Sequence, residues 1–385
     1  MDIIKVLNKS QIEEFHNVVH TIYKDEKNWI PHIKQDVETV FNPKRNSYHK
    51  RGEIERFILK KDNLTIGRIA VFYTIKDKPN SIKTGGVGFF ECVNNQEAAN
   101  LLFTTSVSWL KEKNIEAMDG PINFGEKEKF WGLMVEGFDK PTIYGQNYHL
   151  SYYKDLFENF GFKVYYNQHV YCKDLREPYP DKFYERAERI KSRPDFSIDH
   201  MKNYDFKKYA KYFVDVYNAA WGTHHNFKPL KIEQAEKMFR KMKDIIDQRL
   251  IWFGYYKETP ICFFIGIPDA NQYLKYANGN LNTMGKLKFL YHKKFNKADT
   301  VAALVFGVIP KFQKLGLESA LAKYTSDKMQ EDGYTKVIQS WIGDFNPKMI
   351  KVCEGFLGSD IYQKLTTYRY LFNKKAEFKP HPIIK

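Results

Sequence analysis

Residues 300–332 concentrate groups able to hold an anion. An unbroken apolar run, 301–309, is stopped by Pro310 and followed by Lys311-Phe312-Gln313-Lys314-Leu315-Gly316. From Leu317 the apolar residues recur at helical spacing, at Ala320, Leu321 and Tyr324, while Lys323, Asp327 and Gln330 fall on the opposite face. The pattern predicts a strand buried on both faces, a tight basic turn and an amphipathic helix. A helix N-terminus leaves backbone N–H groups unpaired and carries the positive end of the macrodipole. Gly316 removes a side chain from the path of approach, and Lys311 and Lys314 add charge. This is the chemistry of a diphosphate cradle. The competing account is an ordinary strand–loop–helix connection with surface lysines.

The segment Val308-Ile309-Pro310-Lys311-Phe312-Gln313-Lys314-Leu315-Gly316-Leu317 resembles the acyl-CoA-binding motif of the GCN5-related N-acyltransferase (GNAT) superfamily. Gln313 and Gly316 match that motif. Glu318 stands where the family has Gly or Ala, so its carboxylate must turn away from the phosphates or the phosphates must sit differently. The resemblance implies acyl-CoA as co-substrate, with Gln313, Lys314, Leu315, Gly316 and Leu317 around the diphosphate. It also implies backbone N–H groups of Phe306, Gly307 and Val308 near the thioester. Residues 334–342 alternate as a half-buried strand, and Asn346 opens a helix with Pro347 at its first position. In the family an Asn here reaches the pantetheine arm, and a Tyr two turns later protonates the departing thiolate. Cys353 holds that Tyr position, either as a proton donor or as a packed core thiol.

Acyl transfer to an amine also needs a base. His224 and His225 follow a helix expected to border the cleft, and Asp269 at a hairpin exit is the other candidate. Each has a plain alternative as a helix cap or a water-binding group. The Tyr368-Arg369-Tyr370 triplet reads as aromatic packing on an edge strand.

The 385 residues have room for two or three domains, and 28% charged residues with a mean hydropathy of −0.56 describe a soluble chain. No window approaches the roughly 18–20 apolar residues of a membrane span, and the first residues do not read as a signal peptide. Cys92, Cys172, Cys262 and Cys353 are far apart in apolar surroundings, as reduced cytoplasmic thiols would be; no metal-ligand spacing occurs. The net charge of +15 favours polyanionic partners, but the basic residues are spread out and no nucleic-acid-binding motif is present. Nucleic acid is therefore not the expected partner.

The positioning elements repeat. Strand, helix, strand, an Asn-opened helix and Gly-Phe occur in both halves, with Asn147 and Gly161-Phe162 echoing Asn346 and Gly355-Phe356. The expected class is α/β (α+β): two tandem GNAT-like domains, each a mixed, mostly antiparallel twisted sheet flanked by helices. Residues 1–175 form the first domain, without a diphosphate turn, 176–195 the linker, and 196–385 the domain with the acyl-CoA motif. The Gly-, Pro- and aromatic-rich loop 119–141 reads as a lid or pocket wall. This loop, the Trp221 region and Pro268-Asp269-Ala270-Asn271 are similar to a bacterial ceramide synthase-like group of tandem GNAT proteins, linked to N-acylation of sphingoid bases. That similarity implies a CoA thioester donor, an amine or lipid-amine acceptor and contact with an anionic inner-membrane surface from the cytoplasm. Two other readings stand beside it: an aminoacyl-tRNA-dependent peptidyltransferase-like protein, and an inactive CoA- or lipid-binding protein.

Overall fold

A computed structural model describes residues 1–75, 82–222 and 228–384. Thirteen strands form one sheet: β1 (Asp2–Lys5), β2 (Gly52–Lys61), β3 (Leu64–Thr74), β4 (Thr84–Cys92), β5 (Ala117–Gly120), β6 (Leu133–Glu136), β7 (Lys163–Asp174), β8 (Phe196–His200), β9 (Ile251–Tyr256), β10 (Thr259–Pro268), β11 (Thr300–Val308), β12 (Lys336–Gly343) and β13 (Asp360–Leu371). Their order is β1-β2-β3-β4-β5-β13-β7-β12-β11-β10-β9-β8, with β6 added to β13. The sheet is largely antiparallel; β4 with β5 and β11 with β12 are its parallel pairs.

Local sequence accounts for many boundaries. Asp62 and Asn63 both take positive φ, as a two-residue hairpin turn between twisted strands requires, and they join β2 to β3. Asn95 accepts the Ala98 N–H and starts the helix Gln96–Glu112. The N-terminal core packs Phe90, Phe103 and Phe157 between that helix and the sheet, and the C-terminal core packs Phe213, Phe253 and Phe263. No helix among the described residues is long and apolar enough to cross a membrane.

The last strand of each half is exchanged. β7 lies against β12 of the C-terminal half, and β13 lies against β5 of the N-terminal half. The two exchanged strands pair along most of their length at the centre of the sheet. Tyr368-Arg369-Tyr370 is thus on a central strand, not an edge. Arg369 there makes a two-point ion pair with Asp119 at 2.6 and 2.8 Å, and the Tyr368 hydroxyl donates to Glu158 at 3.0 Å.

Candidate functional site

The parallel ladder between β11 and β12 runs only from Thr300–Lys336 to Ala303–Gln339. Beyond it the strands separate. Leu304 is the extra residue of a bulge on β11, because Ile265 faces Val305 while Gly266 faces Ala303. The bulge turns the rest of β11 away from its parallel neighbour. Leu304 and Phe306 are consequently 45% and 38% exposed, so the apolar run 301–309 is not a strand buried on both faces. It is buried over its first half and opens into a splay over its second.

Backbone alternation fixes which groups face that splay. The Ile309 N–H donates to Ile261 O at 3.0 Å, so in this antiparallel register Gly307 and Val305 also face β10. The N–H groups of Phe306 and Val308 then point the other way, along an edge that pairs with no strand among the described residues. Gly307 serves packing instead, since a side chain there would run into the Trp221 ring at 2.7 Å. That packing holds the helix Phe206–Trp221 against the strand.

The basic turn follows β11. Gln313 donates from Nε2 to Val308 O at 3.1 Å and so braces the turn. Lys311 and Lys314 are exposed, and Lys314 has φ +65°. Leu317 is fully buried with Val308 and Cys262, and Leu315 packs against them. Gly316 begins the helix Leu317–Glu331 with φ +104°, and a Cβ there would lie 2.6 Å from Arg186 O. The space left by this glycine is therefore filled by the helix Asp181–Lys191, not kept for an anion. That contact is with the backbone of exposed Arg186, whose guanidinium lies over the Phe356 ring at 5.5 Å. Burial pushes the Cys262 thiol up to about 12, and the Glu318 carboxylate adds a smaller push in the same direction.

Asn346 sits just past β12 and accepts the Met349 N–H at 3.3 Å, capping the helix Pro347–Lys351. Cys353 is 1% exposed and donates to Gln339 Oε1 at 2.9 Å; burial pushes its thiol up to about 12. It is a packed core thiol. The loop 119–141 and the residues after it do form a wall over β12: the Trp341 indole donates to Lys127 O at 3.1 Å, and Trp131, Ile143 and Tyr144 lie beside Ser340. His224 and His225 lie outside the described residues.

Asp269 is at the opposite end of β11, where its N–H donates to Thr300 O. At about 3.3 Å per residue, six residues of strand separate it from Phe306 by roughly 20 Å, too far for a base at the thioester. Its Oδ1 accepts the Tyr144 N–H at 3.2 Å and the Asn271 N–H at 3.1 Å, tying the two halves together. Burial pushes this carboxyl up to about 6. An acid with a raised folded pKa stabilises the fold below its unfolded value and loses that contribution as pH rises through 6. The charged form at pH 8 thus costs about 3 kcal/mol. Asp269→Asn keeps an oxygen for both N–H groups and is expected to raise the melting temperature at pH 8 but not at pH 4. Equal shifts at both pH values would count against the assignment.

Sequence reasoning missed a second feature. A cavity of about 400 Å³ lies in the N-terminal half, closed on one side by Ala277 to Asn280 of the C-terminal half. Arg68 and Glu91 meet in its wall, only 4% and 8% exposed. Arg68 donates to Phe15 O at 2.8 Å and lies 3.5 Å from Glu91, while its Nε–H has no partner among the described residues. Glu91 Oε2 accepts the Tyr23 and Tyr153 hydroxyls at 2.6 and 2.8 Å. Burial holds His16, His20 and His32 below the usual imidazole range, His32 at about 4, so all three line the cavity as neutral rings. The one legible signal was a charge inside each of two apolar runs, Ile66-Gly67-Arg68-Ile69-Ala70 and Phe89-Phe90-Glu91-Cys92. The corresponding splay of this half, between β4 and β5, is filled by its own chain: Ile122 N–H donates to Val87 O at 2.7 Å.

No family model matches the chain. It is 23% identical over 375 residues to the bacterial ceramide synthase of Caulobacter vibrioides (strain NA1000 / CB15N), covering 96% of this chain and 97% of that one. Among solved structures, a tandem GNAT protein from the clavulanic acid biosynthesis pathway superposes with a TM-score of 0.53 at 9% identity, over 96% of this chain and 98% of that one. A GCN5-related glucosamine N-acetyltransferase region of a fungal multi-domain GH3 β-N-acetylglucosaminidase gives 0.52 at 11% identity, over 96% of this chain and 38% of that one. The bulged, splayed strand pair, its following turn and these likenesses lead to one conclusion: the chain has the tandem GNAT fold.

Proposed function

We propose that the chain is an N-acyltransferase that moves an acyl group from a CoA thioester to a primary amine. The observation that carries this reading is the edge of β11 beyond Ala303, unpaired with any strand among the described residues, which offers the Phe306 and Val308 N–H groups beside a basic helix N-terminus. Lys311 and Lys314 would hold the diphosphate at the turn, and the pantetheine amides would complete the open edge. An N–H aimed at the thioester oxygen stabilises the charge that develops there. The amine, arriving uncharged, forms the new C–N bond; the C–S bond breaks, the thiolate leaves and takes up a proton, and the amine nitrogen gives one up. The exposed apolar side chains of Leu304 and Phe306 suit an acyl chain. The likeness to a bacterial ceramide synthase favours a long acyl group and a lipid amine such as a sphingoid base.

We further infer that residues 1–175 and 196–385 are two copies of one unit, joined by 176–195, with only the second serving CoA. The direct test is incubation with CoA thioesters of two to eighteen carbons and primary amines of graded hydrophobicity, read by mass spectrometry and free-thiol release. Amide and CoA in equal amounts are expected, with long chains preferred. CoA binding without turnover for any pair would leave an inactive binder, and no CoA binding would end the proposal.

A further inference from the structure

The helix Thr283–Phe295 carries a second surface feature. Its Gly285 and Phe289 face the core, yet Met284, Leu287, Leu290, Tyr291 and Phe295 are each more than half exposed. At 100° per residue, Met284, Leu287, Tyr291 and Phe295 fall within one 80° stripe, with Leu290 next to it. Soluble surfaces scatter single apolar residues; a contiguous stripe marks something that covers it. Lys286, Lys288 and Lys294 are exposed along its flanks, and exposed Lys297 follows the helix. Between Asp269 and Asp299 there are six lysines and no acidic residue.

This charge decides the occupant. A second copy of the chain would bring another row of lysines to the same face, whereas an anionic lipid surface complements them. We propose that the helix Thr283–Phe295 docks the protein on anionic membrane, apolar stripe in the acyl boundary and lysines reaching the headgroups. Lysine stems lie along apolar surface while the ammonium stays in the polar layer. A helix lying in the interface gains from its buried apolar face and its charge together. The segment just before it, Asn278 to Asn280, lines the N-terminal cavity, so docking sets that wall close to the lipid. The inference does not depend on which amine is acylated.

Co-sedimentation of the full chain with vesicles of phosphatidylcholine, with and without 30 mol% phosphatidylglycerol, tests it. Binding is expected to the anionic vesicles and to fall at least tenfold in the Leu287→Glu/Tyr291→Glu/Phe295→Glu variant. These side chains are exposed, so the variant's melting temperature should match the wild type and separate lost docking from lost folding. Lys286→Glu/Lys288→Glu/Lys294→Glu should abolish the preference for anionic lipid. Failure of the wild type to bind, equal binding to both vesicles, or undiminished binding by the apolar variant would each overturn the proposal. So would a dimer in sedimentation velocity that the apolar variant dissolves, in the absence of vesicle binding.

Discussion

Glu91→Ala is expected to lower the stability of the chain by about 3–5 kcal/mol, the cost of leaving a buried charge without its partner. Arg68 loses its counter-charge, the Tyr153 hydroxyl loses its acceptor, and that of Tyr23 keeps only the Tyr148 carbonyl at 3.2 Å, all in the interior. The Phe15 carbonyl still accepts one Arg68 N–H, but a neutral dipole does not replace a carboxylate. Glu91→Gln retains an oxygen for the phenols and should cost less. The decisive comparison is the Arg68→Met/Glu91→Leu double variant, because removing both charges also removes their desolvation. Urea midpoints should place the double variant well above Glu91→Ala. If the single variant is as stable as the wild type, the buried pair contributes nothing and the phenols find other acceptors.

What the amino-acid order reveals here follows the range of the interactions. The strand, turn and helix of residues 300–332 are local, and period, Pro310 and Gly316 place them correctly. The exposure of Leu304 and Phe306 is not local, since it depends on where β12 leaves β11. A continuous apolar run signals burial only while both neighbouring strands stay paired. Gly316 shows the same limit: its positive φ is a turn property, but its close neighbour Arg186 lies on the linker helix, 130 positions earlier. The exchange of β7 and β13 has no local signature, because both strands alternate equally well against either neighbour. The cavity is harder still: Arg68, Glu91 and His32 come from three separate segments, and His16 and His20, one turn apart on the helix Lys9–Ile22, from a fourth. Buried charge within an apolar strand is the clearest trace such a site leaves, since neither residue is buried alone.

Gly316 is accordingly a poor probe of the diphosphate corner. Any side chain there meets the Arg186 carbonyl and a backbone φ that disfavours it, so loss of binding would report misfolding. The two lysines are better, because Lys311 and Lys314 are exposed and carry little of the fold. Two unit charges about 5 Å apart in water interact by roughly 0.8 kcal/mol. Changing Lys to Glu replaces that attraction with repulsion, and physiological salt screens part of the difference. For Lys311→Glu/Lys314→Glu the sum is about 2 kcal/mol, or on the order of 30-fold weaker CoA binding. Titration calorimetry with CoA should show that loss with an unchanged melting temperature. The wild-type affinity should also fall with added salt, and the variant's should not. A folded double variant that binds CoA as the wild type does would remove the phosphates from this turn, and with them the main support for acyl transfer at β11.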